Sequence, residues 1–231
     1  MAAIYKESVL ALAGIYDERE AESVVNILFE DYLGISRIQR LTNTNLEISE
    51  EQLKKWESAI EKLKNAVPVQ HITGFSEFYG HQFSVDENTL IPRPETEELV
   101  HLIISNAERK PNLKILDIGT GTGCIAISLA LGLNNASVEA WDIAEGAIAV
   151  AKKNASALNA KVNFEINDVL NSDSEEKYDI IVSNPPYIPN QEFDTMHVNV
   201  TKYEPGSALF VPDNDPLLFY RKIGELGLKS L

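Results

Sequence analysis

Asn184-Pro185-Pro186-Tyr187 places several hydrogen-bond acceptors beside a flat ring. The two prolines lack N–H donors and have a fixed φ, so they hold the neighbouring carbonyls outward as free acceptors. The Asn184 side-chain oxygen is a further acceptor, and the Tyr187 ring offers a wall. Together these suit a planar –NH2 group held by both hydrogens. A rigid turn after a strand would use the same residues with no chemistry. The apolar run Ile180-Ile181-Val182-Ser183 precedes the tetrapeptide and reads as a buried parallel strand. Asn184 therefore falls at a strand's carboxyl end, where open α/β sheets place their ligands.

A second group precedes it in the chain. Asp117-Ile118-Gly119-Thr120-Gly121-Thr122-Gly123 follows an apolar strand and opens a helix. Glycines let the backbone approach a ligand closely, and a helix N-terminus favours an anionic group. Asp142 ends the next strand, where an acid takes both hydroxyls of a ribose in nucleotide-binding folds. Asp168 follows the strand after that, within reach of an adenine amino group, and Val169 packs on the ring. The dinucleotide fingerprint is G-x-G-x-x-G, whereas the spacing here is G-x-G-x-G, and no G-K-[S/T] follows to make a phosphate loop. S-adenosylmethionine fits better, because no pyrophosphate needs a cradle. Cys124 has no histidine or other base at fixed spacing and reads as a small buried residue.

These groups need a scaffold, and the chain alternates strand and helix from about residue 113. Strands are expected at 113–118, 138–141, 162–166 and 178–183, with helices at 125–133 and 147–158. That alternation implies a doubly wound parallel sheet with right-handed crossovers. Residues 67–94 have a different character. Glu77-Phe78-Tyr79 and Gln82-Phe83-Ser84-Val85 flank Gly80-His81 as in a β-hairpin, and Leu90-Ile91-Pro92-Arg93-Pro94-Glu95-Thr96-Glu97 leads rigidly into a helix. Arg93, set between prolines, either points into a cleft or is a solvated arginine between domains. Residues 1–66 are helical in pattern. Asp17 and Gly34 bracket one amphipathic stretch; Ser49 with Gln52 forms a capping box before a stripe of Leu53, Trp56, Ile60 and Leu63. Nothing in this segment looks catalytic.

Bulk properties narrow the class. The 231 residues suffice for a small and a medium domain, and the formal net charge of −15 argues against general affinity for DNA or RNA phosphates. It suits a partner carrying a basic patch. One cysteine allows no intrachain disulfide and fits a reducing cytoplasm. Four scattered histidines give no metal spacing. No apolar run approaches a membrane span, and residues at the start of the sequence show no basic region before an apolar stretch, so no secretory leader is expected.

With Ile115-Leu116-Asp117-Ile118-Gly119-Thr120-Gly121-Thr122-Gly123, Asp142, Asn167-Asp168 and Ser183-Asn184-Pro185-Pro186-Tyr187-Ile188 in this order, the chain resembles class I S-adenosylmethionine-dependent methyltransferases acting on amino or amide nitrogen. It resembles more closely the release factor glutamine methyltransferases, the HemK/PrmC family. That likeness takes in 68–74, Glu77–Gly80, Leu90–Glu97 and Tyr203-Glu204-Pro205. It implies a Rossmann-like doubly wound methyltransferase domain over 95–231, behind a helical partner-binding domain over 1–66 and a β-hairpin linker over 67–94. It implies methylation of the N5 amide nitrogen of the glutamine in the Gly-Gly-Gln loop of class 1 peptide chain release factors, by a cytoplasmic monomer that needs no DNA, membrane or metal. Gly119, Thr120, Gly121, Thr122 and Gly123 would line the methionine moiety, Asp142 the ribose, and Asp168 and Val169 the adenine. Asn184 and the Pro185 carbonyl would accept the two amide hydrogens, with Pro186 holding the turn and Tyr187 packing on the glutamine; Asn184 would border the cofactor as well.

The stretch Val211–Pro216 departs from the family's glycine-rich pattern, and no role is assigned to it. By comparison with the family the fold is also expected to continue beyond Leu231 with further strands, which would otherwise leave 178–183 as a bare apolar edge. The C-terminal strands thus look missing, and a truncated chain is expected to be unstable or inactive. The rival readings are an amino methyltransferase acting on a nucleic-acid base or a ribosomal-protein glutamine, a non-enzymatic nucleoside-binding module, and a nicotinamide dehydrogenase.

Overall fold

The computed structural model describes residues 2–42, 48–107, 112–172 and 176–231. It divides the chain into two compact units, Met1–Gly74 and Phe75–Leu231.

The first unit is helical: α1 (Ala2–Leu12), α2 (Glu18–Leu33), α3 (Arg37–Thr42), α4 (Glu50–Lys64) and α5 (Val69–Thr73). The caps expected from sequence are present. The Asp17 side chain accepts from the Glu20 N–H at the head of α2, and Gly34 ends that helix in the left-handed region at φ 66°. Ser49 and Gln52 close the capping box of α4. Leu12, Val25, Leu28, Phe29, Trp56 and Leu63 form the core. Phe29 and Trp56 rings lie 4.4 Å apart, and the Trp56 indole N–H donates to Ser8 Oγ at 3.1 Å. Leu53, expected in the buried stripe, is 36% exposed; Ala59 is buried with Trp56, Ile60 and Leu63 instead. The unit ends after Gly74 rather than after residue 66, because Val69 and Ile72 of α5 complete its core.

The second unit begins with a hairpin, β1 (Phe75–Phe78) and β2 (His81–Ser84). The turn is Tyr79-Gly80, not Gly80-His81. Both turn residues have positive φ, 49° and 75°, as a two-residue primed turn requires, and His81 pairs with Phe78. Nor is the hairpin a free linker, since Phe78 and Phe83 are buried in the core of this unit. Asn154, itself 2% exposed, anchors it: its side chain exchanges hydrogen bonds with the Ser84 N–H and carbonyl and donates to the Thr122 carbonyl.

The elements that follow are α6 (Glu95–Ala107), β3 (Leu113–Ile118), α7 (Cys124–Gly132), β4 (Ala136–Asp142), α8 (Glu145–Ala157), β5 (Val162–Ile166) and β6 (Ile180–Ser183). After them come the short β7 (Ile188–Pro189), α9 (Val198–Tyr203), the short β8 (Phe210–Val211) and α10 (Leu218–Ser230). The four long strands make a parallel sheet in the order β5-β4-β3-β6. Alternate residues of β3 feed opposite faces. Ile115 joins Val100, Ile127 and Leu129 on one side, while Leu116 and Ile118 join Trp141, Tyr178 and Leu226 on the other. Burial on both faces accounts for the apolar residues Ile115, Leu116 and Ile118 of β3, and Asp117 among them is buried too. Strand order reverses between β3 and β6, because β4 and β5 build outward on one side and β6 is added on the other. The carboxyl ends of β3 and β6 flank that switch point, the crevice where doubly wound sheets take ligands. β6 stands at the sheet edge, with Ile180 and Ile181 half-buried.

Candidate active site

Two clefts open at the carboxyl end of the sheet and meet at Ser183 and Asn184. The larger, the sheet-end cleft, has a volume of about 380 Å³ and is bordered by Gly119, Gly121, Asp142, Asp168, Val169 and Asn184, with Pro185 and Pro186. The smaller, of about 360 Å³, is lined by Arg93, Glu95, Thr96, Leu99, Ser183, Asn184 and Tyr187. The residues picked from sequence are therefore distributed between two adjoining spaces, with Asn184 common to both.

The glycine-rich turn is clamped to β4. The Gly119 and Thr120 N–H groups both donate to the Trp141 carbonyl at 2.9 Å, and the Asp142 carboxylate accepts from the Gly121 N–H at 2.8 Å. Its other oxygen accepts from the Ala144 N–H at 3.0 Å. Each carboxylate oxygen has more than one acceptor site, so Asp142 retains capacity toward the cleft that it borders. Gly119 and Gly121 have φ of 72° and 53°, and a Cβ on either would meet no protein atom within 4 Å. Their conformations favour glycine, and a side chain at these lining positions would project into ligand space. Gly123 has a different reason: a Cβ there would lie 2.9 Å from Ile127 Cδ1 and 3.2 Å from Ala151 Cβ.

Only Gly119 and Gly121 of the five turn residues border the cleft. Thr120 and Thr122 are buried beneath the turn, and Gly123 caps α7. The Thr120 hydroxyl donates to Asp117 Oδ2 at 2.7 Å. Asp117 is fully buried, and burial pushes its carboxyl up to about 7 against the opposing pull of Thr120 and the Ala126 N–H. Burial likewise pushes the Cys124 thiol up to about 12, so it is no nucleophile at neutral pH. Asp168 uses its oxygens to hold its own turn, accepting from the Leu170 N–H at 3.0 Å and Asn171 Nδ2 at 2.6 Å. Val169 is 6% exposed and floors the cleft beside it.

At the end of β6, the Ser183 hydroxyl donates to the Ile118 carbonyl at 2.6 Å and ties the two strand ends together. Asn184 Nδ2 faces Thr96 Oγ1 at 3.4 Å. With the amide nitrogen turned to Thr96, Oδ1 has no partner among the described residues, nor does the Pro185 carbonyl. Pro185 is buried, whereas the Tyr187 ring is 53% exposed on the wall of the Arg93 cleft. Arg93 does reach a cleft. Its Nη2 donates to Glu204 Oε1 at 2.6 Å, and Glu204 Oε2 accepts from the Ile91 N–H at 2.9 Å.

Several lining residues carried no assignment in the sequence. Asn88, Thr89 and Leu90 line the sheet-end cleft, as do Asn167 and a wall running from Pro205 through Phe210 and Pro212 to Phe219. Val211–Pro216, set aside as a departure from the family pattern, thus contributes Pro212 to the site. Its Asp213 accepts from the Gln191 N–H at 2.7 Å, and Asp215 pairs with Arg221. The residues fit an adenosine-bearing cofactor: glycine-lined space at the turn, an acid at the end of β4, and apolar Val169, Leu170 and Phe219 where a base would lie.

Among the described residues there is no group of side chains arranged to hold a metal ion, and no helix is long and apolar enough to cross a membrane.

Two family models match the chain: the methyltransferase small domain over residues 96–202, and the PrmC N-terminal domain over residues 4–74. The chain is 50% identical over 227 residues to a release factor glutamine methyltransferase of Flavobacterium psychrophilum, covering 96% of this chain and 80% of that protein. The protein of the same name from Bacteroides thetaiotaomicron is 44% identical over 223 residues, again covering 96% and 80%. A solved SAM-dependent methyltransferase from Agrobacterium tumefaciens aligns over 48% of this chain and 39% of that one, at 22% identity and a TM-score of 0.40. A likeness of that size adds nothing to the fold, which the strand order already defines.

Proposed function

Because this chain belongs to the family of release factor glutamine methyltransferases, we propose that it methylates the side-chain amide nitrogen of the glutamine in the Gly-Gly-Gln loop of a class 1 release factor. The observation that carries this reading is the meeting of two clefts at Asn184, whose Oδ1 has no partner among the described residues, with Pro185 beside it bordering the sheet-end cleft.

In this reading the sheet-end cleft holds S-adenosylmethionine, with Gly119 and Gly121 beside the methionine moiety, Asp142 at the ribose, and Asp168 and Val169 at the adenine. The cofactor, when bound, supplies an electrophilic methyl group on a sulfonium. The remaining work falls to the chain's own residues. An amide nitrogen is a poor nucleophile because its lone pair is delocalised into the carbonyl. Asn184 Oδ1 and the Pro185 carbonyl accept its two hydrogens and orient the nitrogen toward the adjoining cleft. Tyr187 and Leu99 pack on the aliphatic part of the glutamine side chain, and Thr96 fixes which face of the Asn184 amide is presented. No strong general base is needed before transfer in this reading. Catalysis here is therefore positioning and electrostatics, and the proton leaves the methylated nitrogen for solvent.

The helical unit, residues 1–74, supplies the contact surface for the release factor, and the acidic chain suits a partner with basic regions. A cytoplasmic setting accords with the lone buried cysteine. Incubation with labelled S-adenosylmethionine tests the reading. Label should enter a wild-type release factor and not one whose Gly-Gly-Gln glutamine is replaced by alanine; equal labelling of both would overturn it.

A further inference from the structure

The Arg93 cleft contains a cation fixed by a buried carboxylate 111 residues away in sequence. The Glu204 side chain is 1% exposed and has both oxygens engaged, one by Arg93 Nη2 and the other by the Ile91 N–H. Arg93 is 36% exposed and lines the cleft beside Asn184 and Tyr187. A guanidinium carries five N–H donors, and Glu204 accepts from only one nitrogen of this one. The others have no partner among the described residues. The buried Glu204 holds the guanidinium, while Pro92 and Pro94 restrict the backbone on either side, so Arg93 presents a planar fork of donors to the cleft.

The charge balance decides what that fork can take. Glu204 neutralises Arg93, Glu95 lines the same cleft, and Glu97 and Glu98 follow in the first turn of α6. A phosphate or carboxylate entering here meets an already compensated cation and the Glu95 carboxylate, at the acidic first turn of α6. A neutral carbonyl oxygen meets oriented donors at little electrostatic cost. The cleft therefore disfavours a nucleic-acid strand and favours a peptide backbone.

We propose that Arg93 is the specificity-determining residue of the acceptor cleft: its free N–H groups take main-chain carbonyls flanking the acceptor glutamine, and Glu204 is the positioning residue that sets the guanidinium. This rests on the glutamine-methylating reading above. Arg93 thereby selects a glutamine within an extended peptide over the free amino acid or a nucleobase.

Steady-state methyl transfer to an intact release factor, with cofactor affinity measured by calorimetry on the same preparations, tests it. Arg93→Lys keeps the charge and loses the fork. It should raise KM for the release factor about tenfold, the loss expected for a hydrogen bond from a charged group, with kcat within about threefold and cofactor Kd unchanged. Glu204→Gln should raise KM in the same direction. The double variant should be no worse than Arg93→Lys alone, because Glu204 acts through Arg93. A purely structural Glu204 would instead give additive losses that extend to cofactor affinity. An unchanged KM in Arg93→Lys, or additivity in the double variant, overturns the proposal. Arg93 reaches the surface, so Arg93→Lys keeps the fold, and it decides the matter alone if Glu204→Gln does not fold. A wild-type chain that binds cofactor but transfers no methyl to the release factor overturns the underlying reading instead.

Discussion

The two clefts share Ser183 and Asn184 but are built from different material. The sheet-end cleft is organised around the strand ends. Gly119 and Gly121 are held by Trp141 and Asp142 across one strand spacing, and Val169 follows the next strand. The Arg93 cleft is made of side chains. Arg93 reaches it from the lead-in to α6 and Thr96 from the first turn of that helix, Asn184 and Tyr187 from the end of β6, and Glu204 braces it from the end of α9. Generic sheet topology thus builds the first cleft, while the second depends on particular long-range pairs. In the proposed function the first holds a cofactor and the second selects the acceptor. Substitutions should accordingly separate cofactor affinity from acceptor handling, except at the junction.

Asn184 is that junction, and its loss should have the largest effect. Asn184→Ala should lower kcat about 10²–10³-fold, the scale seen when one preorganised hydrogen-bonding partner of a reacting group is removed. Calorimetry should find cofactor Kd within about twofold, since Gly119, Gly121 and Asp142 are untouched; a cofactor bound tenfold more weakly with normal turnover would erase the division between the clefts. Asp142→Asn should weaken cofactor binding about tenfold through loss of a charged acceptor. Its acceptor KM should stay constant in the same assay, and a rise would show that the clefts are not separable. Thr96→Val removes the hydroxyl facing Asn184 Nδ2. A drop in kcat of about threefold is expected, the value of one neutral hydrogen bond, with cofactor affinity unchanged. The smallest effect concerns stability. The Asp117 carboxyl is raised to about 7 in the folded chain from an ordinary value of 3.8. Its protonated form is thus favoured by folding, so its contribution is full below the unfolded value and is lost as pH rises through about 7. Denaturant midpoints should decline less between about pH 5 and 8 in Asp117→Asn than in wild type; parallel curves would show that Asp117 does not titrate in this range.

The same division explains what could be read in the sequence. Asp17, Ser49 with Gln52, the limits of β3 and β5, and the site turn at Asn184 all follow from local rules: capping, periodicity, and the end of an apolar run. Glu204 could not be found that way. Tyr203-Glu204-Pro205 entered only through the family likeness, with no role for the carboxylate that folding buries against Ile91 and Arg93. Asn154 is likewise one more polar residue of a helix until its amide bridges the hairpin to the glycine-rich turn. Pro212 and Phe219 reach the sheet-end cleft only because the chain after α9 returns past the strand ends. The misplaced hairpin turn is a smaller matter. Tyr79 adopts positive φ against its own preference because the pairing of Phe78 with His81 requires it.

Fragment mass spectrometry of a release factor, after incubation with this chain and S-adenosylmethionine, tests the central claim most directly. One added methyl group on the side-chain nitrogen of the Gly-Gly-Gln glutamine is the predicted result. An unmodified glutamine, from a chain that calorimetry shows to have bound cofactor, would contradict it.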